Sequence, residues 1–371
     1  MQNNSTKTLA AVVILFFLTS NLTGSFLPIY YKDQGLGVPE ICALLLFTFL
    51  ILGLLPIALL KTAKNFERVM SLGIFTSMLF FIALIYTRNP VILGFAYGTS
   101  LATFWPSFNL LLFRMSETKT RARTIGLFST IIPSLASIVG PATGGLVIER
   151  FSFTSLFATC VALYFIAFLL STRIHYKPEE NKFSLPRDKT FAIFLATFVI
   201  SAATESYWLA YPFFVYNISG TVLNMGLVLT VTGVMISAIT FSVNWASDVK
   251  RTRIEFAVIG TTLSATWYFG IGFASSTEHI IILSVLSGFA NAFRISWFAH
   301  YGDSFGKEYY ASILVMMETG LMVGRVMNLA PTYFLIPQAS YVSYFILLGA
   351  ITLLLIPLYV MAKKNINANH T

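Results

Sequence analysis

The sequence predicts an all-α integral membrane protein with twelve transmembrane helices in two pseudo-symmetric six-helix bundles, and three observations support this fold class. Of the 371 residues, 56% are hydrophobic and only 11% are charged, whereas soluble domains carry roughly 25% charged residues. Short charge clusters divide the chain into apolar runs of about 20 residues, the length that crosses roughly 30 Å of hydrocarbon. One long polar stretch, residues 171–189, lies near the middle of the chain.

The apolar runs define the predicted spans. The first run is longer than the apolar core of a secretory signal peptide and lacks a small-residue cleavage site, so we expect it to remain as the first span. The predicted domains are an N-terminal six-helix bundle at residues 1–171, a linker at 172–190 and a C-terminal six-helix bundle at 191–371. The spans, in order, are residues 9–31, 41–60, 70–87, 91–113, 124–147, 153–171, 191–215, 222–243, 254–273, 280–300, 310–332 and 340–361.

The distribution of Lys and Arg predicts which side of the membrane each loop faces, because cytoplasmic loops are enriched in these residues. With the N-terminus inside, only Lys32, Arg88 and Arg150 fall on the outer side. We therefore expect a multi-pass protein of the cell membrane with both termini in the cytoplasm. The net charge of +9 does not indicate nucleic-acid binding, because the basic residues are scattered rather than gathered on one water-exposed face.

The cysteines and histidines predict no metal site, disulfide or cofactor. Cys42 and Cys160 both fall inside predicted spans, where a free cysteine behaves as a small apolar residue. We also expect a monomer. The histidines lie in loops, at span edges and in the tail, without metal-ligand spacing: His175, His279, His300 and His370.

Four ionisable residues lie inside predicted spans: Glu205, Arg294, Glu318 and Arg325. A charge at the bilayer centre costs about 2.5–3.5 kcal/mol, so such residues line a cavity or pair with each other. Counting from the span ends puts Arg294 and Glu318 at one depth, and Glu205 and Arg325 about 10 Å further from the cytoplasm. We therefore predict two separate ion pairs. Because desolvation and a nearby Arg change the protonation of a carboxyl group, we predict that these residues couple transport to protons; in the alternative, the pairs only fix helix packing.

Substrate contacts are predicted from helical spacing around these charges. Trp208 and Tyr211 share a face of span 7 with Glu205, and Asn291 shares a face of span 10 with Arg294. Spans 1 and 4 contribute further candidates, and in the alternative each aromatic residue is a packing residue. The predicted substrate-binding residues are Asn21, Tyr97, Trp208, Tyr211 and Asn291.

The two halves also show weak internal similarity. An offset of 184 residues aligns Asn21 with Glu205 and Pro28 with Pro212. Internal repeats of this kind build many transporter folds, with the binding site at the interface between the repeats. The repeat therefore favours a site between the two bundles.

Gly140, Pro141, Gly144 and Gly145 form the sharpest local motif. Small residues four apart let helix backbones approach closely, and a proline allows a bend. The run from Arg121, RARTIGLFSTIIPSLASIVGPATGGLVIERF, is similar to the fifth span of the major facilitator superfamily. The segments LPIYYKDQGLGVPEICALLLF and WASDVKRTR resemble the family's span 1–2 entry and its second charged loop, so the resemblance covers essentially the whole chain.

The resemblance implies two bundles that rock about a central site. It implies that Asp248 and Arg253, which match positions of the second charged loop, hold the cytoplasmic side closed; in the alternative, they belong to a solvated basic loop that only follows the positive-inside bias. The glycine and proline motif of span 5 is predicted to take part in gating by packing the two halves closely; in the alternative, it is an antiporter signature. The first copy of the loop, LLKTAKNFERV, lacks the family's Asp and Gly. The Arg that drug:proton antiporters carry in span 4 is also absent, with Gly94 nearest to its position.

These observations predict a secondary active transporter that moves a small solute by alternating access and is coupled to protons. One alternative is an uncoupled facilitator, a uniporter whose charge pairs are only structural. The other is a polytopic membrane enzyme, such as a lipid or glycosyl transferase. The sequence lacks a nucleophile–base pair, a metal motif and a large extramembrane loop, which argues against the enzyme.

Overall fold

The computed structural model describes residues 2–62, 65–115, 127–174, 184–250 and 253–369. Within these ranges, the side chains of residues 240–250, 253 and 292–296 are among those that lie outside the described part. Every regular element in the described ranges is a helix.

The described helices form twelve stretches that correspond to the predicted spans, and we number them α1 to α12. Eight of them are long and apolar enough over their described residues to cross a membrane. The N-terminal half contains α1 (Gln2–Thr23, a 3₁₀ turn Gly24–Phe26, and Leu27–Asp33), α2 (Val38–Thr62), α3 (Phe66–Tyr86), α4 (Pro90–Met115), α5 (Ile132–Arg150, after a π-helical turn Leu127–Ile131) and α6 (Phe153–Ser171). The C-terminal half contains α7 (Lys189–Ala203 and Ala210–Ser219), α8 (Val222–Lys250), α9 (Arg253–Ile271), α10 (Thr277–Asp303), α11 (Tyr310–Leu335, after a 3₁₀ turn Lys307–Tyr309) and α12 (Tyr341–Leu353 and Leu355–Asn369).

Because the number of stretches is even, the start of α1 and the end of α12 lie on the same side of the bundle. We call this the terminus side, and the opposite side the far side. Several helices run past their predicted spans toward the terminus side, such as α8, which reaches Lys250. The hydrophobic pattern marks only the part of a helix inside hydrocarbon, so a helix that continues into the headgroup region is longer than its apolar run.

Helix α7 is interrupted, so the prediction of one continuous helical face through span 7 is wrong. The backbone leaves helical geometry after Ala203 and resumes at Ala210. The physical reason is Pro212, which lacks an N–H and whose ring collides with the carbonyl four residues earlier, at Trp208. In α1, Pro28 lies four residues after Gly24, the first residue of the 3₁₀ turn. The two aligned prolines therefore interrupt the first helix of each half.

The α5 motif packs against helices from both halves. A Cβ added at Gly140 would lie 2.6 Å from the Asn21 Cβ in α1, and a Cβ at Gly145 would lie 2.9 Å from the Val222 carbonyl oxygen in α8. The neighbour Gly144 also faces α1. Side chains larger than hydrogen would force these helices apart.

The residue after Pro141 makes a hydrogen bond between the two halves. The Ala142 N–H donates to the Thr230 hydroxyl of α8 at 2.9 Å. The carbonyl of Pro141 itself faces Gly226, whose missing side chain leaves room for it. The glycine and proline motif therefore forms the α5–α8 contact between the bundles.

Adding a methyl group at Gly145 is expected to destabilise the contact between the halves. The alanine Cβ would meet the α8 backbone, and overpacking of this kind costs about 1–3 kcal/mol. Gly24 is the matched control, because a Cβ there meets nothing within 4 Å. Thermal unfolding in detergent should show a lower midpoint for Gly145→Ala than for Gly24→Ala. Equal midpoints for the two variants would mean that α8 moves away at no cost.

Two further contacts close the bundle around its centre. On the far side, the second segments of α1 and α7 pack together, and the Lys32 ammonium lies 5.8 Å from the centre of the Phe213 ring. Nearer the middle, the Thr319 hydroxyl of α11 donates to the Gly53 carbonyl of α2 at 3.2 Å. Helices α5 with α8, and α2 with α11, therefore join the halves, and the broken segment of α7 lies between them.

Candidate functional site

A buried cluster of charges occupies the centre of the bundle. The Arg325 Nε of α11 donates to the Glu205 Oε2 at 2.7 Å, and the Arg325 Nη2 donates to the Oε1 at 3.3 Å. Both side chains are about nine-tenths buried. The predicted contact between Glu205 and Arg325 is therefore present, with the two-point geometry that suits a guanidinium and a carboxylate.

Glu318 belongs to the same cluster, which corrects the prediction of two separate pairs. The Arg325 Nη1 lies 4.0 Å from the Glu318 Oε2, within ion-pair distance and beyond hydrogen-bond distance. The two residues are seven apart on α11 and so share a face, and helical side chains lean toward the N-terminus. Counted by backbone depth alone, Glu318 and Arg325 lie two helical turns apart. The Arg325 side chain is long enough to cover that distance. The predicted partner of Glu318, Arg294, has its side chain outside the described residues.

One donor of the cluster is not satisfied. Among the described residues, Arg325 Nη1 is buried and has no hydrogen-bond partner. Buried polar groups nearly always have such a partner. The Arg325 Nη1 can therefore donate to one more ligand atom while the hydrogen bonds to Glu205 remain.

Trp208 links this cluster to the N-terminal half. Its indole N–H donates to the Glu205 Oε2 at 2.7 Å, and the Arg325 guanidinium lies 5.5 Å from its ring centre. On the other side, its ring lies 5.1 Å from that of Phe49 in α2 and 6.1 Å from that of Tyr97 in α4. Two of the predicted substrate-binding residues, Tyr97 and Trp208, therefore meet where the halves face each other.

The break in α7 is held by polar side chains of the C-terminal half. The Asn328 Nδ2 of α11 donates to the Ala203 carbonyl at 2.6 Å, and the Tyr268 hydroxyl of α9 donates to the Thr204 carbonyl. These carbonyls lose their usual partners where the helix stops. Asn328 and Tyr268 therefore fix the segment that carries Glu205, a role that sequence reasoning missed. One sequence pattern could have indicated the role of Asn328: Arg325, Asn328 and later polar residues are spaced along one face of an apolar span.

A small cavity adjoins the cluster. Its volume of about 10 Å³ is about the room that one water molecule occupies. It is lined by polar residues from α7, α11 and α12 and by apolar residues from α2, α7 and α11. The lining residues are Leu45, Phe49, Glu205, Ser206, Trp208, Leu209, Ala210, Arg325, Asn328, Leu329, Thr332 and Tyr344.

The remaining predicted substrate-binding residues lie away from this cavity. The Asn21 amide donates to its own helix at the Phe17 carbonyl, at 2.8 Å. The Tyr211 ring packs 5.6 Å from that of Trp267 in α9. Asn291 does not line the cavity. Of the five predicted residues, Trp208 lines the cavity, Tyr97 packs against the Trp208 ring from α4, and the other three do neither.

The predicted gate residues are described only in part. The side chains of Asp248 and Arg253 lie outside the described residues, so their role in closing the cytoplasmic side stays a prediction. Among the described residues, no group of three or more His, Cys, Asp or Glu could hold a metal ion.

Comparison with known proteins identifies the family. The sequence profile of the Major Facilitator Superfamily matches residues 9–191 and, a second time, residues 193–369. The chain belongs to the Major Facilitator Superfamily. The members of this family are multi-pass membrane transporters, which supports the transporter interpretation over the membrane enzyme.

Two curated relatives each match part of this chain at 25% identity. They are the uncharacterized protein YqgE of Bacillus subtilis (strain 168), over 188 residues, and an uncharacterized protein in the sodM 3' region of Geobacillus stearothermophilus, over 148 residues. The matches cover 47% and 36% of this chain. They cover 43% and 65% of the relatives, so each spans less than two thirds of the relative's length.

Solved structures of two other transporters show the same fold. The human organic anion transporter MFSD10 (TETRAN) superposes with a TM-score of 0.72 at 11% identity. The nucleoside transporter NupG, solved as a mutant, superposes with a TM-score of 0.69 at 12% identity. Both alignments cover 96% of this chain and 99% of the other. At such low identity the likeness concerns the fold alone, and it agrees with the predicted twelve-helix architecture.

Proposed function

We propose that this superfamily member is a proton-coupled secondary transporter that moves a small solute by alternating access. Glu205, Glu318 and Arg325 form its coupling group, and we include Arg294 as a fourth member. The observation that carries the proposal is a single buried guanidinium shared between two carboxylates at 2.7 and 4.0 Å. With Glu205, Glu318 and Arg325 ionised and Arg294 out of contact, the three groups carry one unbalanced negative charge, which is costly away from water. A proton on either carboxyl group removes it.

Alternating access would load and unload this proton. While the site faces water, hydration stabilises the ionised carboxylate; when the site closes, loss of water favours the neutral form. A solute atom that takes a place on the Arg325 guanidinium would weaken its hold on Glu205. The carboxyl group would then take up a proton as the solute binds, which links the two movements.

The test is transport by purified protein in liposomes. Solutes are first screened by thermal shift, because a ligand that binds only the folded protein raises its stability. The best solute is then offered with and without a pH gradient. Proton coupling predicts accumulation above the outside concentration only with the gradient. An uncoupled facilitator would equalise the concentrations in both cases.

Solute contacts are proposed for the residues predicted from the sequence. Trp208 and Tyr97 are the strongest candidates, because they approach each other from opposite halves next to the charged cluster. Asn21, Tyr211 and Asn291 would contact the solute in a state with a wider opening than this one.

We propose that the cytoplasmic gate involves Asp248 at the end of α8 and Arg253 at the start of α9. Residues 1–171 and 191–371 would move as two bundles joined by the linker 172–190. The close α5–α8 contact would serve as the surface on which they rock, through Gly140, Pro141, Gly144 and Gly145.

We further propose that the chain lies in the cell membrane as a monomer with its terminus side in the cytoplasm. Arg88 is exposed on the far side and Arg187 is exposed on the terminus side. An impermeant thiol reagent added to intact cells should label Arg88→Cys and spare Arg187→Cys. The native Cys42 and Cys160 are buried and form the unlabelled background. The reverse labelling pattern would invert the proposed orientation.

A further inference from the structure

A line of polar residues runs from the charged cluster toward the far side inside the C-terminal half. On α11, Arg325, Asn328 and Thr332 follow one face and are all buried. The Tyr344 hydroxyl of α12 donates to the Asn328 Oδ1 at 3.0 Å. The Thr332 hydroxyl lies 3.1 Å from the same oxygen and 3.4 Å from the Tyr344 hydroxyl. An apolar helix thus carries a continuous polar stripe.

This stripe spans most of the distance between the cluster and the far-side surface. Arg325 lies ten residues before the end of α11 at Leu335, which corresponds to about 15 Å. Thr332 lies three residues before that end, or about 4.5 Å. Tyr344 lies three residues after the start of α12. The hydroxyl groups therefore come within one helical turn of the far side.

The small cavity closes the remaining gap between the hydroxyl groups and Glu205. Glu205, Ser206, Thr332 and Tyr344 all line it, and its volume of about 10 Å³ suits one water molecule. A water there has polar partners on both sides, as a stable buried water requires. It would contact the carboxyl group on one side and the hydroxyl groups on the other.

The hydroxyl groups also have a structural role. Both donate to the Asn328 Oδ1, which orients the amide whose Nδ2 holds the α7 break, and the Thr332 hydroxyl donates to the Asn328 main-chain carbonyl at 2.8 Å. Phenylalanine and valine would fill nearly the same volumes as Tyr344 and Thr332 but would leave the Asn328 Oδ1 without these donors. Two hydroxyl groups aligned with a water-sized cavity and a carboxylate form a chain along which a proton can pass.

We propose that protons reach Glu205 from the far side through Thr332, Tyr344 and one water in this cavity, on a route along α11 and α12. The cavity at the inner end of the route borders the N-terminal half, because Leu45 and Phe49 of α2 line it together with Trp208. In each step a hydroxyl oxygen accepts a proton as it releases its own to the next oxygen, so no hydroxyl keeps a charge. The last proton forms the O–H bond of the Glu205 carboxyl group.

Glu205 ends this route because it lines the same cavity as Thr332 and Tyr344. The charged groups facing it among the described residues are Arg325 and Glu318 from α11, and Tyr97 of α4 lies on the other side of Trp208. Of these groups, Arg325 lines the cavity on the route, whereas Glu318 and Tyr97 do not. The inference rests on the proposed function, because it takes Glu205 as the residue that binds the transported proton.

The experiment follows the protonation of Glu205 directly and needs no solute. Infrared difference spectra after a pH jump report the carboxyl C=O band, which is assigned by its loss in Glu205→Gln. The protein is reconstituted in one orientation, and the jump is applied from one side at a time. We expect faster protonation from the far side, slowed about 10-fold or more in Tyr344→Phe and in Thr332→Val.

The control is Tyr301→Phe, which removes a buried hydroxyl that donates to the Ile313 carbonyl, away from the route. It should leave the rate unchanged, and thermal unfolding of each variant shows whether it is folded. A merely structural role for Tyr344 would lower the unfolding midpoint without slowing protonation. Unchanged rates in both route variants, or faster protonation from the terminus side, would overturn the route. Absence of the Glu205 band in the unaltered protein would instead refute the proposed function.

Discussion

Replacing Glu205 by Gln is expected to abolish accumulation of solute against its concentration gradient while leaving solute exchange measurable. Gln keeps the shape of the protonated carboxyl group and can still accept a hydrogen bond from Arg325, but it cannot bind or release a proton. The measurement is uptake into liposomes with an imposed pH gradient, followed by exchange of labelled for unlabelled solute without one. Accumulation should fall to the equilibrium value.

A carboxylate outside the cluster provides the control for this variant. Glu278 lies in the first turn of α10 on the far side, and Glu278→Gln should accumulate solute like the unaltered protein. Continued accumulation by Glu205→Gln would show that this residue is not the coupling site. Glu318, 4.0 Å from the same guanidinium, would then be the next residue to test.

Removing the guanidinium is expected to cause the largest loss of stability. Arg325→Gln leaves Glu205 and Glu318 buried without their cation, and breaking a buried ion pair in this way costs about 3–5 kcal/mol. Adding Glu205→Gln to this variant removes one of the stranded charges and should recover part of the loss. Chemical unfolding in detergent micelles measures both variants and the Glu205→Gln single change.

The geometry also predicts which of the two carboxylates is coupled more strongly to Arg325. Glu205 accepts two hydrogen bonds from the guanidinium, whereas Glu318 accepts none. A double-mutant cycle should give an interaction energy of about 1–3 kcal/mol for Glu205 and less for Glu318. Additive effects at Glu205 would contradict a direct pair. A parallel cycle between Glu318 and Arg294 tests the pair predicted from the sequence.

The sequence predicts part of this site because depth in a membrane can be counted along the chain. A helix rises 1.5 Å per residue, so matching the distances of Glu205 and Arg325 from their span ends brings them to one level. The same count separates Glu318 from Arg325, because it gives the height of each backbone position and ignores the length and lean of the side chain. The structure brings that pair to 4.0 Å.

The interruption of α7 shows a different limit. Pro212 is visible in the sequence, yet helical spacing continued through it assigns Tyr211 to the face of Glu205. In the structure the segment between Ala203 and Ala210 is not helical, and Tyr211 packs on α9. A periodic face is meaningful only while the hydrogen-bond ladder continues, and a proline ends that ladder upstream of itself.

The sequence by itself determined the class of fold, the helical spans and the presence of costly buried charges. These follow from hydrophobicity and rise per residue, which are local properties that the chain carries whatever its tertiary arrangement. Only the tertiary structure decided that one guanidinium serves two carboxylates, that Asn328 holds the broken helix, and that Trp208 joins the halves. Those contacts depend on how each helix is rotated and on which neighbours it meets, and neither property is encoded by the pattern of one helix alone.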